Sequence, residues 1–284
     1  MKGVVGFGVF SVGGAAPRVG FRVGDGVLDL AAHGLGDSFR APTLNPFLAL
    51  GRSAWEGALE RIAGLVDGGA ELVPLSEVDA RLPFDVRDYV DFYSSLEHAT
   101  NLGRMFRPDS EPLLPNWRHL PVGYHGRAGT VVVSGTPIVR PCGQAKAPAD
   151  QEPRFGPSAR LDIELELGFI AGVGSDLGTP VPTSRFRDHV FGVVLVNDWS
   201  ARDIQAWEYR PLGPFLGKSF ASSISAWVTP LLALADRRVA LPPQDPAPLP
   251  YLREDPWALD RETGWSLIAS RTPRSIPRSP SSLR

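Results

Sequence analysis

The chain has 284 residues, 43% hydrophobic and 21% charged, with 29 Lys plus Arg against 31 Asp plus Glu and a formal net charge of −2. That balance lacks the basic excess of a nucleic-acid binder, and 14 Phe, 7 Trp and 5 Tyr exclude a disordered chain. Cys142 has no partner for an internal disulfide, no apolar run reaches the roughly 20 residues of a membrane span, and no signal-peptide pattern opens the chain, so a cytoplasmic protein without nucleic-acid or membrane partners is expected.

The 30 Gly and 28 Pro point to turns and short strands. Residues 1 to 85 read as a small N-terminal β domain. Val4 to Val12 and Arg18 to Val23 are rich in Val and Phe, and Gly24-Asp25-Gly26 supplies the positive φ that a tight hairpin into Val27 to Leu30 needs. Trp55, Ala58, Leu59, Ile62, Leu65 and Val66 have helical spacing, with Ser53 as the expected N-cap. Residues 86 to 262 form a second unit, dense in Tyr, Trp, His and carboxylates. Its predicted elements are a helix over Ser94–Met105, strands over Thr130–Val133 and Ile138–Val139, strands over Arg160–Ala171 and His189–Val196, and a helix over Trp199–Tyr209 ended by Pro211. Residues 263 to 284 carry Arg, Ser and Pro without an acid, a disorder-like composition.

Four segments carry chemistry. Leu161-Asp162-Ile163-Glu164-Leu165-Glu166-Leu167 alternates strictly, which predicts four aliphatic residues facing the core and three carboxylates on the other face of one strand. Those carboxylates either converge on a hard cation or form a solvated acidic face. The apolar run Val193–Val196 ends abruptly at Asn197-Asp198, placing Asp198 at the carboxyl end of a buried strand. Asp198, Arg202, Gln205 and Tyr209 then fall on one helical face. An N-cap for Asp198 and an i,i+4 pair with Arg202 account for the same spacing. Asp91 precedes the helix that carries His98, a residue type suited to general-base work. Gly217-Lys218-Ser219 lacks the first glycine of a phosphate loop at position 212 and is rejected as one.

Asp-Phe-Tyr-Ser-Ser (91–95), Leu-Pro-Val-Gly-Tyr-His-Gly-Arg (120–127), Leu-Asp-Ile-Glu-Leu-Glu (161–166), Asn-Asp-Trp-Ser-Ala-Arg-Asp-Ile-Gln (197–205) and the run 207–220 resemble the fumarylacetoacetate hydrolase family. The resemblance implies a mainly β fold with some α: a small SH3-like N-terminal β-barrel and an incomplete mixed β-sandwich/β-roll catalytic domain, in a homodimer. It implies hydrolysis of the small-molecule substrate 4-fumarylacetoacetate to fumarate and acetoacetate, the last step of tyrosine breakdown. Ca²⁺ or Mg²⁺ would be held by Asp91, Glu164, Glu166 and Asp198, with Lys218 and Ser222 beside it. His98 matches the catalytic base, and Arg202, Gln205 and Lys218 match the donors to the oxyanion. Tyr93, Arg107, Tyr124, Gln205 and Tyr209 match substrate-binding positions. The family continues beyond this chain with more strands and the Glu that orients the base, so the tail reads as the product of a truncation or frameshift. Acylpyruvate hydrolysis, oxaloacetate decarboxylation and a cation-binding remnant without activity are the competing readings.

Overall fold

The computed structural model describes residues 4–237 and 244–253; the tail over 263–284 lies outside the described residues. The chain opens with strands β1 (Val4–Ser11), β2 (Arg18–Val23) and β3 (Gly26–Asp29). Gly24, at φ 56°, makes the β2–β3 turn as its Gly-Asp sequence demands. Helices α1 (Asn45–Leu48) and α2 (Arg52–Asp67) follow, then β4 (Val73–Pro74) and β5 (Asp79–Arg81). The α2 N-cap is Gly51, and no side chain caps it; Ser53, expected as the cap, sits inside the first turn, two residues past it.

The rest of the chain is made of short strands. β6 (Val90–Phe92) pairs with β7 (Gly123–His125) around helix α3 (Leu96–Phe106). Ser95 caps α3, its Oγ accepting from the His98 amide at 3.2 Å, so the helix begins at Leu96, two residues after the expected start. β8 (Val131–Val133), β9 (Cys142–Ala145) and β10 (Arg154–Pro157) come next; residues 138–139 are irregular, not a strand. The acidic segment then divides into β11 (Leu161–Asp162) and β12 (Leu165–Ala171). Helix α4 (Phe186–His189) leads into β13 (Val190–Asp198), followed by β14 (Ser200–Ala201), α5 (Arg202–Glu208), α6 (Leu216–Ser219), β15 (Ser222–Ile224) and β16 (Trp227–Pro230).

Ten of these strands form one sheet in the order β4-β3-β2-β1-β16-β13-β15-β8, with β5 added to β1 and β12 to β13. The join lies between β1 and β16, where Phe7 faces Val228 and Gly8 faces Trp227. The core follows the join. Phe191 of β13 packs within 5.2–5.7 Å of Trp55, Phe7 and Phe47, and Phe7 meets Phe21 edge-on at 4.8 Å. Each such ring, fully buried, contributes about 1.5–3 kcal/mol of transfer free energy. β13 is thus anchored at its start by the aromatic core, and its far end projects Asp198.

Candidate metal centre and active site

β13 is buried over most of its length, with Leu195 56% exposed, and the run of aliphatics stops where the site begins. Asp198 is 2% exposed there. Its amide donates to the Glu164 carbonyl at 3.0 Å, which locks the end of β13 to the bend between β11 and β12. That bend arises because the acidic segment changes partner: β11 pairs with β14, and β12 pairs with β13. Asp91 arrives from β6, opposite Tyr124 on β7. One carboxylate oxygen from each of Asp91, Glu166 and Asp198 lies within 4.8 Å of the other two.

The three carboxylates repel one another. Burial pushes the Glu166 carboxyl up to about 8, reinforced by repulsion from Asp91, Asp198 and Glu164. Burial also lifts Asp198 to about 6, against the pull of Lys218 and with the repulsion of Asp91 and Glu164. The same carboxylates raise the hydroxyls of Tyr124 and Tyr89, whose largest cause is burial. An all-oxygen set of three carboxylates fits a hard divalent cation, whose charge would relieve this repulsion.

Glu164 lies outside the trio and anchors a layer of basic groups. Its carboxylate takes Lys218 Nζ at 2.5 Å and Arg202 at 2.6 Å, and His98 Nε2 stands 3.9 Å away. Against the opposing effect of burial, Lys218 and Arg202 hold Glu164 below the usual carboxylate range. Lys218 Nζ also donates to Asp198, and Arg202 donates to Asp162 at 2.9 Å and to Gln205 Oε1 at 3.0 Å. The arrangement therefore sets three cationic or donor side chains, one imidazole and three clustered carboxylates around one space.

The fumarylacetoacetate hydrolase C-terminal model matches residues 88–243, and the fumarylacetoacetase N-terminal model matches residues 5–83. The chain belongs to the fumarylacetoacetate hydrolase family. It is similar to the fumarylacetoacetases of Bos taurus (49% identical over 278 residues) and Homo sapiens (48% over 280), each match covering 89% of this chain. It spans 66% of the length of those two relatives. A crystal structure of maleylpyruvate hydrolase from Sphingobium sp. SYK-6 is similar at TM-score 0.48 and 15% identity, over 81% of this chain and 68% of that one; a likeness of that size adds nothing to the assignment.

The residues that the family resemblance singled out fall in two groups. Asp91, His98, Glu164, Glu166, Asp198, Arg202, Gln205 and Lys218 are linked by the contacts above. Ser222, 2% exposed on β15, lies opposite Asp198 in the strand register and interacts with Tyr89. Of the aromatic positions, Tyr124 interacts directly with Asp91. Tyr93 stands edge-on to His98 at 5.6 Å and donates to the Ala99 carbonyl, while Tyr209 meets Phe106 at 5.9 Å. Arg107 donates to the Pro112 carbonyl at 2.7 Å, and its Nε is buried with no partner among the described residues.

Three local expectations fail for physical reasons. Asp198 is not a helix cap and does not pair with Arg202, because β14 intervenes and α5 begins only at Arg202. Over 163–166 the faces of the acidic segment are reversed: Ile163 and Leu165 are 59% and 70% exposed and Glu164 and Glu166 are half-buried, while at the ends Leu161 and Leu167 are half-buried and Asp162 is exposed, because the segment is broken into two strands. Strand periodicity fixes which residues share a face but not which face is covered. Two participants went unmarked in the sequence, Tyr89 and Glu208, and a third, Asp162, was marked only as one of three carboxylates on a face. Asp162 braces Arg202, Tyr89 borders the trio, and Glu208 grips the loop before Lys218. For Asp162 the alternation with Glu164 was a usable signal; for Glu208 there was none.

Proposed function

We propose that this chain hydrolyses the C–C bond of 4-fumarylacetoacetate, releasing fumarate and acetoacetate, with Ca²⁺ or Mg²⁺ at Asp91, Glu164, Glu166 and Asp198, beside Lys218 and Ser222. The observation that carries the reading is the meeting of the Asp91, Glu166 and Asp198 carboxylates with Lys218, Arg202 and His98 in one site. Identity of 48–49% to proteins named fumarylacetoacetase supports the choice of substrate.

His98 takes a proton from a water set against the fumaryl carbonyl. Arg202, Gln205 and Lys218 then donate to the oxyanion that forms; such donors are each worth about 3–4 kcal/mol of barrier. The C–C bond breaks with its electron pair on the acetoacetate carbon, which is then protonated. When bound, a divalent cation supplies positive charge that stabilises this departing group. Tyr93, Arg107, Tyr124 and Tyr209 line the entrance and orient the substrate carboxylates and carbonyls. Glu164 keeps Arg202 and Lys218 aimed inward and stands nearest the imidazole of His98.

The same reading makes the protein a cytoplasmic homodimer; no described helix is long and apolar enough to cross a membrane. Turnover of fumarylacetoacetate by the purified chain, with and without chelator, tests the function, and scattering-based mass tests the dimer. The reading predicts fumarate release that stops on chelation and in His98→Asn. Equal or faster turnover of acylpyruvates, or none of either substrate with Ca²⁺ and Mg²⁺ present, would overturn it.

A further inference from the structure

Lys218 reaches Asp198 and Glu164 from a loop that has little intrinsic reason to hold still. Residues 209–215 contain Gly213 at φ 101° and two prolines, and α6 is a single turn. Within the loop the Gly213 amide donates to the Tyr209 carbonyl at 2.8 Å, and one carboxylate ties the loop to α5. Glu208, at the end of α5 and 8% exposed, accepts from the Phe215 amide at 2.9 Å and the Gly217 amide at 2.7 Å through the same oxygen. Between those bonds Gly217 lies flat on α5: a Cβ there would stand 2.8 Å from the Gln205 nitrogen and 3.0 Å from the Ala201 carbonyl. On the far side of Lys218, Thr130 Oγ1 donates to the Ser219 carbonyl at 2.9 Å. The helix that carries Arg202 and Gln205 therefore also holds the backbone that carries Lys218.

We propose that Glu208 is a positioning residue that sets Lys218 Nζ against Asp198 and Glu164 by clamping the amides of Phe215 and Gly217. It touches no reacting group and acts through the register of α6 on α5. A carboxylate buried against two amide donors is a strong, charge-assisted clamp, and a displacement near 1 Å at a site of this kind costs about 100-fold in rate. The kinetic part of the proposal rests on the hydrolase reading above; the placement of Lys218 does not.

The test uses the full chain and compares Glu208→Gln, which keeps an acceptor, with Glu208→Met, which keeps length without one. Lys2, Lys146 and Lys218 are the lysines of the chain, so acetylation at Lys218 can be followed by mass spectrometry with Lys146 as internal reference. In the parent chain and in E208Q, Lys218 should acetylate roughly tenfold or more slowly than Lys146. In E208M that protection should disappear, and hydrogen exchange at 215 and 217 should accelerate while the amides of β1 and β2 stay protected. Turnover of fumarylacetoacetate should fall about 100-fold in kcat with KM little changed, and E208Q should recover most of it. Lys218 protection unchanged in a folded E208M overturns the proposal, whatever the kinetics. If E208M loses β1 and β2 protection too, E208Q decides: faster hydrogen exchange at 215 and 217 than in the parent chain, with β1 and β2 still protected, upholds the clamp, because a neutral acceptor holds those amides less tightly; unchanged exchange at 215 and 217, or an E208Q as unfolded as E208M, overturns it in favour of a purely structural role. Protection lost as expected in a chain that never turns over substrate supports the clamp and counts against the hydrolase reading.

Discussion

Replacing Lys218 by Met should reveal how far the site depends on an internal positive charge when no cation is supplied. The Lys218 side chain is 5% exposed and Asp198 2%, so the variant leaves Asp198 buried without its ammonium partner. Removing one member of a buried pair costs about 3–5 kcal/mol. The low end applies here, because Arg202 still holds Glu164 at 2.6 Å. For a chain of this size each kcal/mol moves the melting midpoint by roughly 2–4 °C, so a fall of about 6–12 °C is expected in chelator near pH 8. The pH dependence has a definite sign. The Asp198 carboxyl is already raised to about 6 and rises further without the ammonium. A carboxyl raised above its unfolded value favours the fold while protonated and disfavours it once ionised. The deficit of K218M should therefore be small near pH 5 and grow as pH rises past about 6. Saturating Ca²⁺ should close much of the gap. Melting curves followed by circular dichroism at both pH values, with and without Ca²⁺, give the answer. A variant that melts within about 2 °C of the parent in chelator at pH 8 would refute the reasoning.

Asp198→Ala should abolish Ca²⁺ binding, because it removes a charge that no neighbour replaces; unchanged affinity by calorimetric titration would contradict this. Calcium affinity should rise between pH 6 and 8, and binding at pH 7 should release protons, since Glu166 and Asp198 are raised to about 8 and 6 and must ionise to ligate; titrations in buffers of different ionisation enthalpy read the proton count. Arg202→Met should lower kcat for fumarylacetoacetate about 100- to 1,000-fold, the usual loss for one oxyanion donor, as measured by steady-state kinetics. Gly217→Ala should cost about 1–3 kcal/mol by denaturant melting, because its Cβ meets the α5 backbone at 2.8 Å.

What could be read in advance was local and chemical. The aliphatic run of β13 stops at Val196, since a carboxylate among aliphatic neighbours would be buried unpaired, and Asp198 sits at the strand end where Lys218 reaches it. The Gly-Asp turn and the Ser95 cap are likewise decided within a few residues. The reversal of the acidic segment was not legible, since the exposure of Leu165 depends on what else covers that side of β12. The division at Ile163-Glu164 depends on β14 and β13, which follow about 30 residues later in the chain. Glu208 is silent in sequence for a further reason: its partners are backbone amides, which every residue but proline supplies.

The seam between β1 and β16 has a consequence for how the chain comes into being. β1 can pair with β2 as soon as both leave the ribosome, and β5 covers Val9 to Ser11 soon after. The stretch around Phe7 and Gly8 must wait for Trp227 and Val228, in the last strand of this sheet among the described residues. Throughout translation the N-terminal segment keeps an open strand edge beside Phe7, the kind of surface on which nascent chains stick to one another. Closure of that seam brings Phe191 into the aromatic cluster, so the opening residues are completed, not followed, by the half that bears the chemistry.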